Sequence, residues 1–376
     1  MTPAAIAARV DAYLQEEEAR TSERYTDKGA FSGAVLVALD GQPVVSRAFG
    51  YANREWWVPN TTDTKFRLWS ITKIFTATAI MKLQEQGKLQ LGDSICNYIS
   101  RCAQAWHPVT IRQLLTHTSG LPDIDDGYPN PSSASRHRLR LSAAEMIERQ
   151  RVKPMDFAPG SHFAYNNFGF YAAGLVIEKA TGNSYEEALK DLIFVPAGMS
   201  DTGVDHAEVV LPKRAYYYAD AHMDAWFVDG PPPGAKESLV NAQPYDMPSW
   251  MFAAGALYST TEDLLRFDRA LSSGAILQQK TLDQMWTTMA PVPYYFADAA
   301  SDVPSLKGKV PEYGLGWETH RVAGRRCFSH IGAGVATNTW FLHFPDEHVT
   351  LVVLANSAAL SVVREGLPAV VFDGHR

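Results

Sequence analysis

The beginning of the chain has apolar residues at the spacing of an amphipathic helix. Thr2 is a typical helix cap, and Pro3 suits the first helical position because its missing amide hydrogen has no partner there. We therefore predict a helix that buries one stripe of side chains. The residues of this stripe are Ile6, Val10, Tyr13 and Leu14.

Apolar runs of strand length lie near both ends of the chain. The runs 34–39 and 44–49 flank Asp40-Gly41-Gln42-Pro43, which predicts a β-hairpin over residues 33–50. In the final third, short apolar runs separated by turn residues predict further strands, and a closing helix is expected at 362–371. These further strands are predicted at 314–317, 327–330, 339–344 and 349–354.

The middle of the chain is mostly helical in pattern, with long loops that are rich in proline, glycine and aromatic residues. Strands from both ends with helices between them imply an α/β (α+β) fold, in which an antiparallel sheet built from N- and C-terminal segments is flanked by helices. We predict a sheet domain of residues 1–88 and 250–376 and a mainly helical insertion at 89–249. Helices are predicted at 111–115, 142–150, 169–181 and 185–195, and loops at 127–133 and 224–234. A further helix is predicted to open with residues 260–263 and to end at Gly274.

Ser70 and Lys73 lie at the start of an unusually apolar predicted helix, which runs from Ile71 to about Gln86. Residues three apart share one helix face, so the lysine amine is expected beside the serine hydroxyl. A serine hydroxyl is a weak nucleophile until a base takes its proton, and a desolvated lysine can be that base. The alternative is a helix-capping serine with a lysine that extends to solvent.

Two later segments carry groups that such a serine would need. Tyr165 and Asn167 form a Y-x-N pattern before an apolar helix. A tyrosinate beside a cation can act as a base, because the cation lowers the pKa of the tyrosine. The amide of an asparagine can bind a substrate carbonyl or a lysine. His330 ends a predicted strand and is followed by small residues, beside which a substrate can lie close to the backbone. The amides of Ser70 and Ala333 are candidates for an oxyanion hole. The alternatives are a helix-capping asparagine with a packed tyrosine, and a strand-end histidine before a glycine turn.

In this order and at this spacing, S-x-x-K, Y-x-N and H-x-G resemble the motifs of the serine β-lactamase and penicillin-binding-protein superfamily, and most closely its class C β-lactamase-like branch. The resemblance extends from about Phe31 to Asn356, and it includes the segments 110–122, 157–161, 195–202 and 254–264. It implies an acyl-enzyme mechanism without a metal or organic cofactor. Ser70 would attack a carbonyl, and Lys73 and Tyr165 would transfer protons. His117 is expected to be structural, since no carboxylate or metal-ligand spacing surrounds it.

The third motif departs from the Lys-Thr-Gly of most β-lactamases, which helps to bind a substrate carboxylate. This chain has His330-Ile331-Gly332; an unperturbed histidine is largely neutral at pH 7, and isoleucine has no hydroxyl. Both differences argue against carboxylate-bearing substrates. The chain is most similar to the family VIII carboxylesterases, which implies a carboxylesterase-type serine hydrolase for small, fairly hydrophobic esters. Trp69 and Trp250 are candidate substrate contacts.

Other functions of the same fold stay open as alternatives: an acyltransferase, an amidase or D-aminopeptidase, and a β-lactamase. A non-catalytic binding protein is a further alternative, which the complete set of motifs disfavours. The expected partner is a small-molecule ester or amide. A net charge of −7 without a basic block argues against nucleic acid and against an anionic membrane surface.

The expected compartment follows from the cysteines and from the N-terminus. Cys96, Cys102 and Cys327 are too few for a disulfide framework and match no zinc-ligand spacing, which favours a reducing compartment. Arg9 and Asp11 interrupt the N-terminal apolar stretch before it can serve as a signal sequence, and no later segment approaches transmembrane length. We therefore expect a cytoplasmic protein, provided that no leader has been removed from the chain.

Overall fold

The helices begin where the sequence supplies capping residues. The computed structural model describes residues 2–24, 31–124, 140–220, 239–241, 250–288, 312–334, 336–357 and 361–372; the predicted loops at 127–133 and 224–234 lie outside them. Thr110, Ser142 and Ser184 each accept a backbone amide at a helix start, and a glutamine or glutamate three residues later completes a capping box. None of the described helices has both the length and the apolar composition that a membrane span requires. The described α-helices are Pro3–Arg24 (α1), Thr72–Glu85 (α2), Ile111–Leu115 (α3), Ala143–Arg151 (α4), Asn167–Thr181 (α5), Tyr185–Leu189 (α6), Val195–Ala197 (α7), Thr261–Ser272 (α8), Gln279–Met285 (α9) and Ser361–Phe372 (α10). A π-helical segment, Lys190–Phe194, joins α6 to α7.

The strands come from both ends of the chain, as the sequence predicts. The N-terminal strands are Gly33–Leu39 (β1), Gln42–Phe49 (β2), Tyr51–Asn53 (β3), Val58–Pro59 (β4) and Phe66–Arg67 (β5). The short strands of the middle region are Gly203–Val204 (β6), Tyr218–Asp220 (β7), Leu239–Asn241 (β8) and Leu257–Ser259 (β9). The C-terminal strands are Glu318–Val322 (β10), Arg325–Gly334 (β11), Thr337–Phe344 (β12) and Val349–Ala355 (β13).

A six-stranded antiparallel sheet joins the two ends of the chain in the order β10-β11-β12-β13-β1-β2. The N- and C-terminal strands meet where β1 pairs with β13, with Gly33 opposite Ala355 and Leu39 opposite Val349. The predicted α/β fold, with a terminal-segment sheet flanked by helices, is confirmed. Helices α3 to α7 all lie between residues 89 and 249, and the boundaries of that region stay a prediction.

The first hairpin turns through Asp40 and Gly41. Both residues have left-handed backbone angles, with φ of 51° and 68°. This is the pattern of a two-residue type I′ turn, for which Asp-Gly is a preferred sequence. Gln42 and Pro43, which the sequence places in the turn, belong to β2 instead.

The sheet carries apolar side chains on both faces. On one face, Phe341 and Val352 join the main core together with residues of α2, α5 and α8. The other face is covered by α1 and α10, through residues such as Ile6 and Leu367. Helix α2 lies in the middle of the main core, and Phe75 is fully buried within it. A lysine in the first turn of α2 is therefore removed from solvent.

The strand predicted at 314–317 is absent; these residues form a turn, and β10 begins at Glu318. Gly316 has a φ of 79°, which favours glycine. A Cβ atom on Gly314 would lie 2.1 Å from the Met285 carbonyl oxygen, and one on Gly316 would lie 2.5 Å from the Ala77 Cβ. The glycines serve close packing against helices, which an apolar run does not reveal.

Cys96 and Cys102 form a disulfide, with their Cα atoms 5.3 Å apart. The expectation of reduced thiols is therefore wrong for this pair. A single bond between two cysteines six residues apart is not revealed by the spacing of three cysteines. Disulfides persist in oxidising surroundings. The cysteines of this chain therefore do not indicate a reducing compartment. Cys327 is the free cysteine, and it is buried.

Candidate active site

Ser70 lies in a tight turn directly before the central helix. The 3₁₀ turn Trp69–Ile71 leads into α2, and Trp69 has a left-handed backbone conformation with φ of 47°. Such a conformation is strained for a bulky residue and persists where the surroundings enforce it. Leu68 and Ile71 occupy the cap positions, so the Ser70 hydroxyl does not cap the helix. The interpretation of Ser70 as a capping residue is therefore wrong.

Lys73 is fully buried, and its amine points at three oxygen atoms. Its Nζ lies 3.1 Å from Ser70 Oγ, 2.9 Å from Asn167 Oδ1 and 2.9 Å from the Ala254 carbonyl oxygen. The predicted contact between Lys73 and the serine is thus present. The alternative, a lysine that extends to solvent, is wrong.

Burial lowers the pKa of Lys73 to about 7, although the nearby Asp123 carboxylate acts in the opposite direction. A neutral amine has two hydrogens and one lone pair. The oxygens of Asn167 and Ala254 can only accept, so they engage the two hydrogens. The lone pair is then left for the Ser70 hydroxyl proton. This arrangement is suited to general-base activation of a serine.

Tyr165 lies against the same amine. Lys73 Nζ is 4.8 Å from the centroid of the Tyr165 ring and 5.6 Å from that of Phe170. Such distances are typical of cation–π contacts. The Tyr165 side chain is 42% exposed, in contrast to the buried lysine. The structure therefore brings the S-x-x-K and Y-x-N motifs together and gives the tyrosine access to solvent.

Asn166, rather than Asn167, caps helix α5. Asn166 Oδ1 accepts the amide of Gly169 at 2.5 Å, which leaves the Asn167 side chain for Lys73. Asp123 Oδ1 accepts the amides of Asn167 and Phe168 at 2.8 and 3.0 Å. A carboxylate is favourable at a helix N-terminus, where amides lack partners. The capping interpretation of the Y-x-N motif thus applies to Asn166 only.

One edge of β11 is open beside the Ser70 turn. Strand β10 pairs with β11 only as far as Ser329, so no described strand covers that edge from His330 to Gly334. A Cβ atom on Gly332 would lie 2.0 Å from the Leu68 carbonyl oxygen, and one on Gly334 would lie 2.1 Å from the Trp69 ring. Glycine is therefore required for this close approach of the strand to the turn. Ala333 is exposed between the two glycines.

His330 is buried and has partners for both ring nitrogens. Nδ1 lies 2.7 Å from the Ile331 carbonyl oxygen and must donate to it, because a carbonyl only accepts. Nε2 lies 3.0 Å from Tyr313 Oη and accepts from it, because burial keeps the pKa of Tyr313 well above its usual value. Burial also lowers the pKa of His330 to about 4, with Lys73 adding to this effect and Glu318 opposing it. The ring is neutral at pH 7, as predicted.

Three predicted specificity residues have positions that differ from the expectation. Ile331 lies on the opposite strand face from His330 and packs with the α1 and α10 core, so its missing hydroxyl does not face the site. Trp250 is only 4% exposed and belongs to the main core, with the Arg149 guanidinium 5.7 Å from its ring. Trp69 is also buried, with its ring against Gly334. These tryptophans have the positions of packing residues.

The sequence does not predict three side chains that lie around the site: Asp123, His117 and Tyr313. The Asp123 carboxylate raises the pKa of Lys73, and Lys73 lowers the pKa of His117. Tyr313 donates a hydrogen bond to His330. A signal was present for two of them, because His117 lies within the family-like segment 110–122 and Asp123 follows it directly. Tyr313 directly precedes the predicted strand 314–317, and nothing in its sequence surroundings indicates a role in the site.

The β-lactamase family model matches residues 7–374. The chain belongs to the β-lactamase family. Esterase EstB of Burkholderia gladioli is 32% identical over 303 residues, which cover 74% of this chain and 73% of EstB. Penicillin-binding protein 4* of Bacillus subtilis (strain 168) is 29% identical over 340 residues, which cover 89% of this chain and 70% of that protein. The structure of D-amino acid amidase from Ochrobactrum anthropi SV3, complexed with D-phenylalanine, has a TM-score of 0.76 at 25% identity and covers 96% of both chains.

These findings confirm the predicted superfamily and fold. The protein is a serine hydrolase of the β-lactamase and penicillin-binding-protein fold. The proteins that this chain resembles include an esterase, a penicillin-binding protein and a D-amino acid amidase, so the resemblance alone does not select one acyl substrate.

Proposed function

We propose that this protein is a carboxylesterase that forms an acyl-enzyme at Ser70 and acts on small, fairly hydrophobic esters. The observation that carries the proposal is the state of His330, which stands where most β-lactamases have a carboxylate-binding lysine. Both of its ring nitrogens are bound within the protein, and its low pKa keeps the ring neutral. A neutral imidazole without a free donor offers little to a substrate carboxylate. Uncharged acyl groups are therefore favoured.

In the proposed acylation step, the lone pair of neutral Lys73 takes the Ser70 hydroxyl proton while Oγ attacks the ester carbonyl carbon. The carbonyl electron pair moves onto its oxygen, which the amides of Ser70 and Ala333 stabilise. When this pair returns, the bond to the alcohol oxygen breaks. The leaving alkoxide takes back the proton from Lys73, through Tyr165, and departs as the alcohol.

In the proposed deacylation step, a water molecule attacks the acyl-Ser70 carbonyl. Tyr165 and Lys73 together accept the water proton, and the Ser70 oxygen receives a proton as the carboxylic acid leaves. The partly exposed Tyr165 is the member of the site that can meet solvent, whereas Lys73 is fully buried. This difference in exposure supports a Tyr165 that exchanges protons with the attacking water and a Lys73 that transfers the proton of Ser70.

The likeness to esterase EstB supports the proposal, since the match is 32% identical and covers 73% of that protein. Amide hydrolysis is the second candidate, because the D-amino acid amidase structure covers 96% of both chains at a TM-score of 0.76. The same proton-transfer groups would suit an amine leaving group, which must be protonated before it departs.

A substrate panel tests the proposal. p-Nitrophenyl esters of increasing acyl length, p-nitroanilides of the same acyl groups and a chromogenic cephalosporin are compared in the wild type, in Ser70→Ala and in Ser273→Ala. Ser273 is an exposed serine after α8 and serves as the matched control. We expect short-chain ester hydrolysis in the wild type and in Ser273→Ala, and none in Ser70→Ala. Faster anilide than ester turnover would favour the amidase, and rapid cephalosporin turnover without ester turnover would contradict the proposal.

A further inference from the structure

His117 holds the backbone on both sides of Tyr165. Its carbonyl oxygen accepts the amide of Ala164 at 2.9 Å, and its Nδ1 accepts the amide of Asn166 at 3.0 Å. His117 itself has a left-handed backbone conformation, with φ of 56°. Such a conformation is uncommon for a residue other than glycine and persists where its surroundings fix it. Main chain and side chain of one residue thus bind the same short segment.

The imidazole of His117 also supports the Tyr165 ring. The two ring centroids are 4.3 Å apart, and the planes are tilted by 34°. The histidine is 1% exposed and is enclosed by Phe170 and Tyr313, with centroid distances of 5.1 and 4.8 Å. Lys73 Nζ lies 4.8 Å from the Tyr165 centroid. The tyrosine ring therefore contacts both the buried imidazole and the buried amine.

The hydrogen bond to Asn166 fixes the protonation of His117. A backbone amide can only donate, so Nδ1 must be unprotonated and the neutral ring carries its hydrogen on Nε2. Burial lowers the pKa of His117 well below its usual value, and the neighbouring Lys73 and His330 add to this effect. The acceptor at Nδ1 is thus preserved throughout the neutral pH range.

We propose that His117 is a positioning residue for Tyr165: through its two backbone hydrogen bonds and its ring contact it holds the tyrosine against Lys73. The inference rests on the proposed proton-transfer role of Tyr165 and on the contact of its ring with Lys73. A displaced ring also changes the surroundings of the amine that takes the Ser70 proton, so that labelling and turnover both slow. It adds a role in the site to the structural role that the sequence predicts for His117. A histidine that merely stabilised the fold would change the unfolding temperature, whereas a positioning residue changes the rate of reaction at Ser70.

Two substitutions separate the contributions of His117. His117→Phe keeps a flat ring and removes the acceptor, and His117→Asn loses the ring but keeps an oxygen near the place of Nδ1. His107→Asn, at an exposed position, is the matched control. The measurements are the rate of Ser70 labelling by a fluorophosphonate probe, kcat and KM for the best ester, and the unfolding temperature.

We expect labelling and kcat of His117→Phe to fall by up to about 100-fold, the loss that a misplacement of about 1 Å can cause, while KM changes by less than about threefold. His117→Asn should recover a large part of the loss, and His107→Asn should match the wild type. A folded His117→Phe variant that is labelled at the wild-type rate would overturn the inference. The inference would also be overturned if the losses in labelling and kcat were no larger than the loss of folded protein.

A measurement on the wild type keeps the inference testable if His117→Phe does not fold. Nitrogen-15 NMR of histidine-labelled protein should show the Nε2–H tautomer of His117 between about pH 6 and 8. A protonated Nδ1 would overturn the inference. These experiments also distinguish failure of the inference from failure of the proposed function. If the wild type is labelled at Ser70 and His117→Phe is labelled slowly, but the wild type hydrolyses no ester, only the esterase proposal is contradicted. A wild type that is not labelled overturns both.

Discussion

The amine of Lys73 lies 2.9 Å from Asn167 Oδ1, although the two residues are 94 positions apart in the chain. This contact joins the S-x-x-K motif at the start of α2 to the Y-x-N motif at the start of α5. Asn167 Oδ1 and the Ala254 carbonyl oxygen accept the two hydrogens of a neutral lysine amine, so that its lone pair faces Ser70. The proposed base function of Lys73 therefore depends on a partner from another part of the chain.

Replacement of Asn167 by alanine should impair the activation of Ser70. Without the Oδ1 acceptor, the lysine amine is free to rotate, and its lone pair no longer has a fixed direction. We expect Ser70 labelling by a fluorophosphonate to slow by about 100-fold, at the low end of the range for a lost general base. Asn183→Ala, at an exposed position, is the control. Unchanged labelling of Asn167→Ala would show that the lysine needs no such orientation.

The pH dependence of the reaction should report Lys73. Its pKa is about 7, and the neutral form is the base, so kcat/KM should rise with pH through this region. Asp123→Asn removes the charge that favours the ammonium, which lowers the pKa of Lys73 and moves the rising limb to lower pH. The new amide oxygen can still accept the α5 amides that Asp123 binds. The control is Asp191→Asn, at an exposed position. If kcat/KM of Asp123→Asn rose at the same pH as in the wild type, or at a higher pH, this reasoning would be refuted.

Replacement of Gly332 by alanine should separate β11 from the Ser70 turn. Its Cβ would lie 2.0 Å from the Leu68 carbonyl oxygen and 2.2 Å from Thr339 Oγ1, so the backbone must move. We expect a loss of about 1–3 kcal/mol in the free energy of unfolding, as for other overpacked sites, and slower Ser70 labelling. Gly92→Ala is the control, since its Cβ would meet nothing within 4 Å. Urea titrations measure both variants, and equal stabilities would contradict the close approach.

The disulfide predicts a thiol count. Protein purified without reductant and then denatured should react with a thiol reagent at Cys327 alone, and at all three cysteines after reduction. The double variant Cys96→Ser/Cys102→Ser should lose about 2 kcal/mol of stability, because the loop that the bond closes is short. Three reactive thiols before reduction would disprove the bond.

Local signals in the sequence account for much of the fold. The Asp40-Gly41 turn and the caps at Thr110 and Ser142 were predictable, because a turn or a helix start is decided by a few adjacent residues. The turn at Gly314 and Gly316 was not, because those glycines are required by contacts with helices far away in sequence. Apolar periodicity identifies an element's buried face but not its neighbours.

The site was predictable to the extent that its contacts are local or follow a family motif. Ser70 and Lys73 are three residues apart, so helical geometry alone brings them together. The hydrogen bond from Tyr313 to His330 and the amide that His117 accepts from Asn166 join segments that the sequence does not relate. Ile331 shows the opposite case: its chemistry is plain in the sequence, but the strand turns it away from the site.

Intact-mass spectrometry of the acyl-enzyme tests the central claim most directly. The protein is mixed with a p-nitrophenyl ester, quenched in acid within the pre-steady state, weighed and digested. The account predicts a mass increase of one acyl group, located on Ser70 in the wild type and absent from Ser70→Ala. Turnover with the acyl group on another residue, or an adduct that persists in Ser70→Ala, would contradict it.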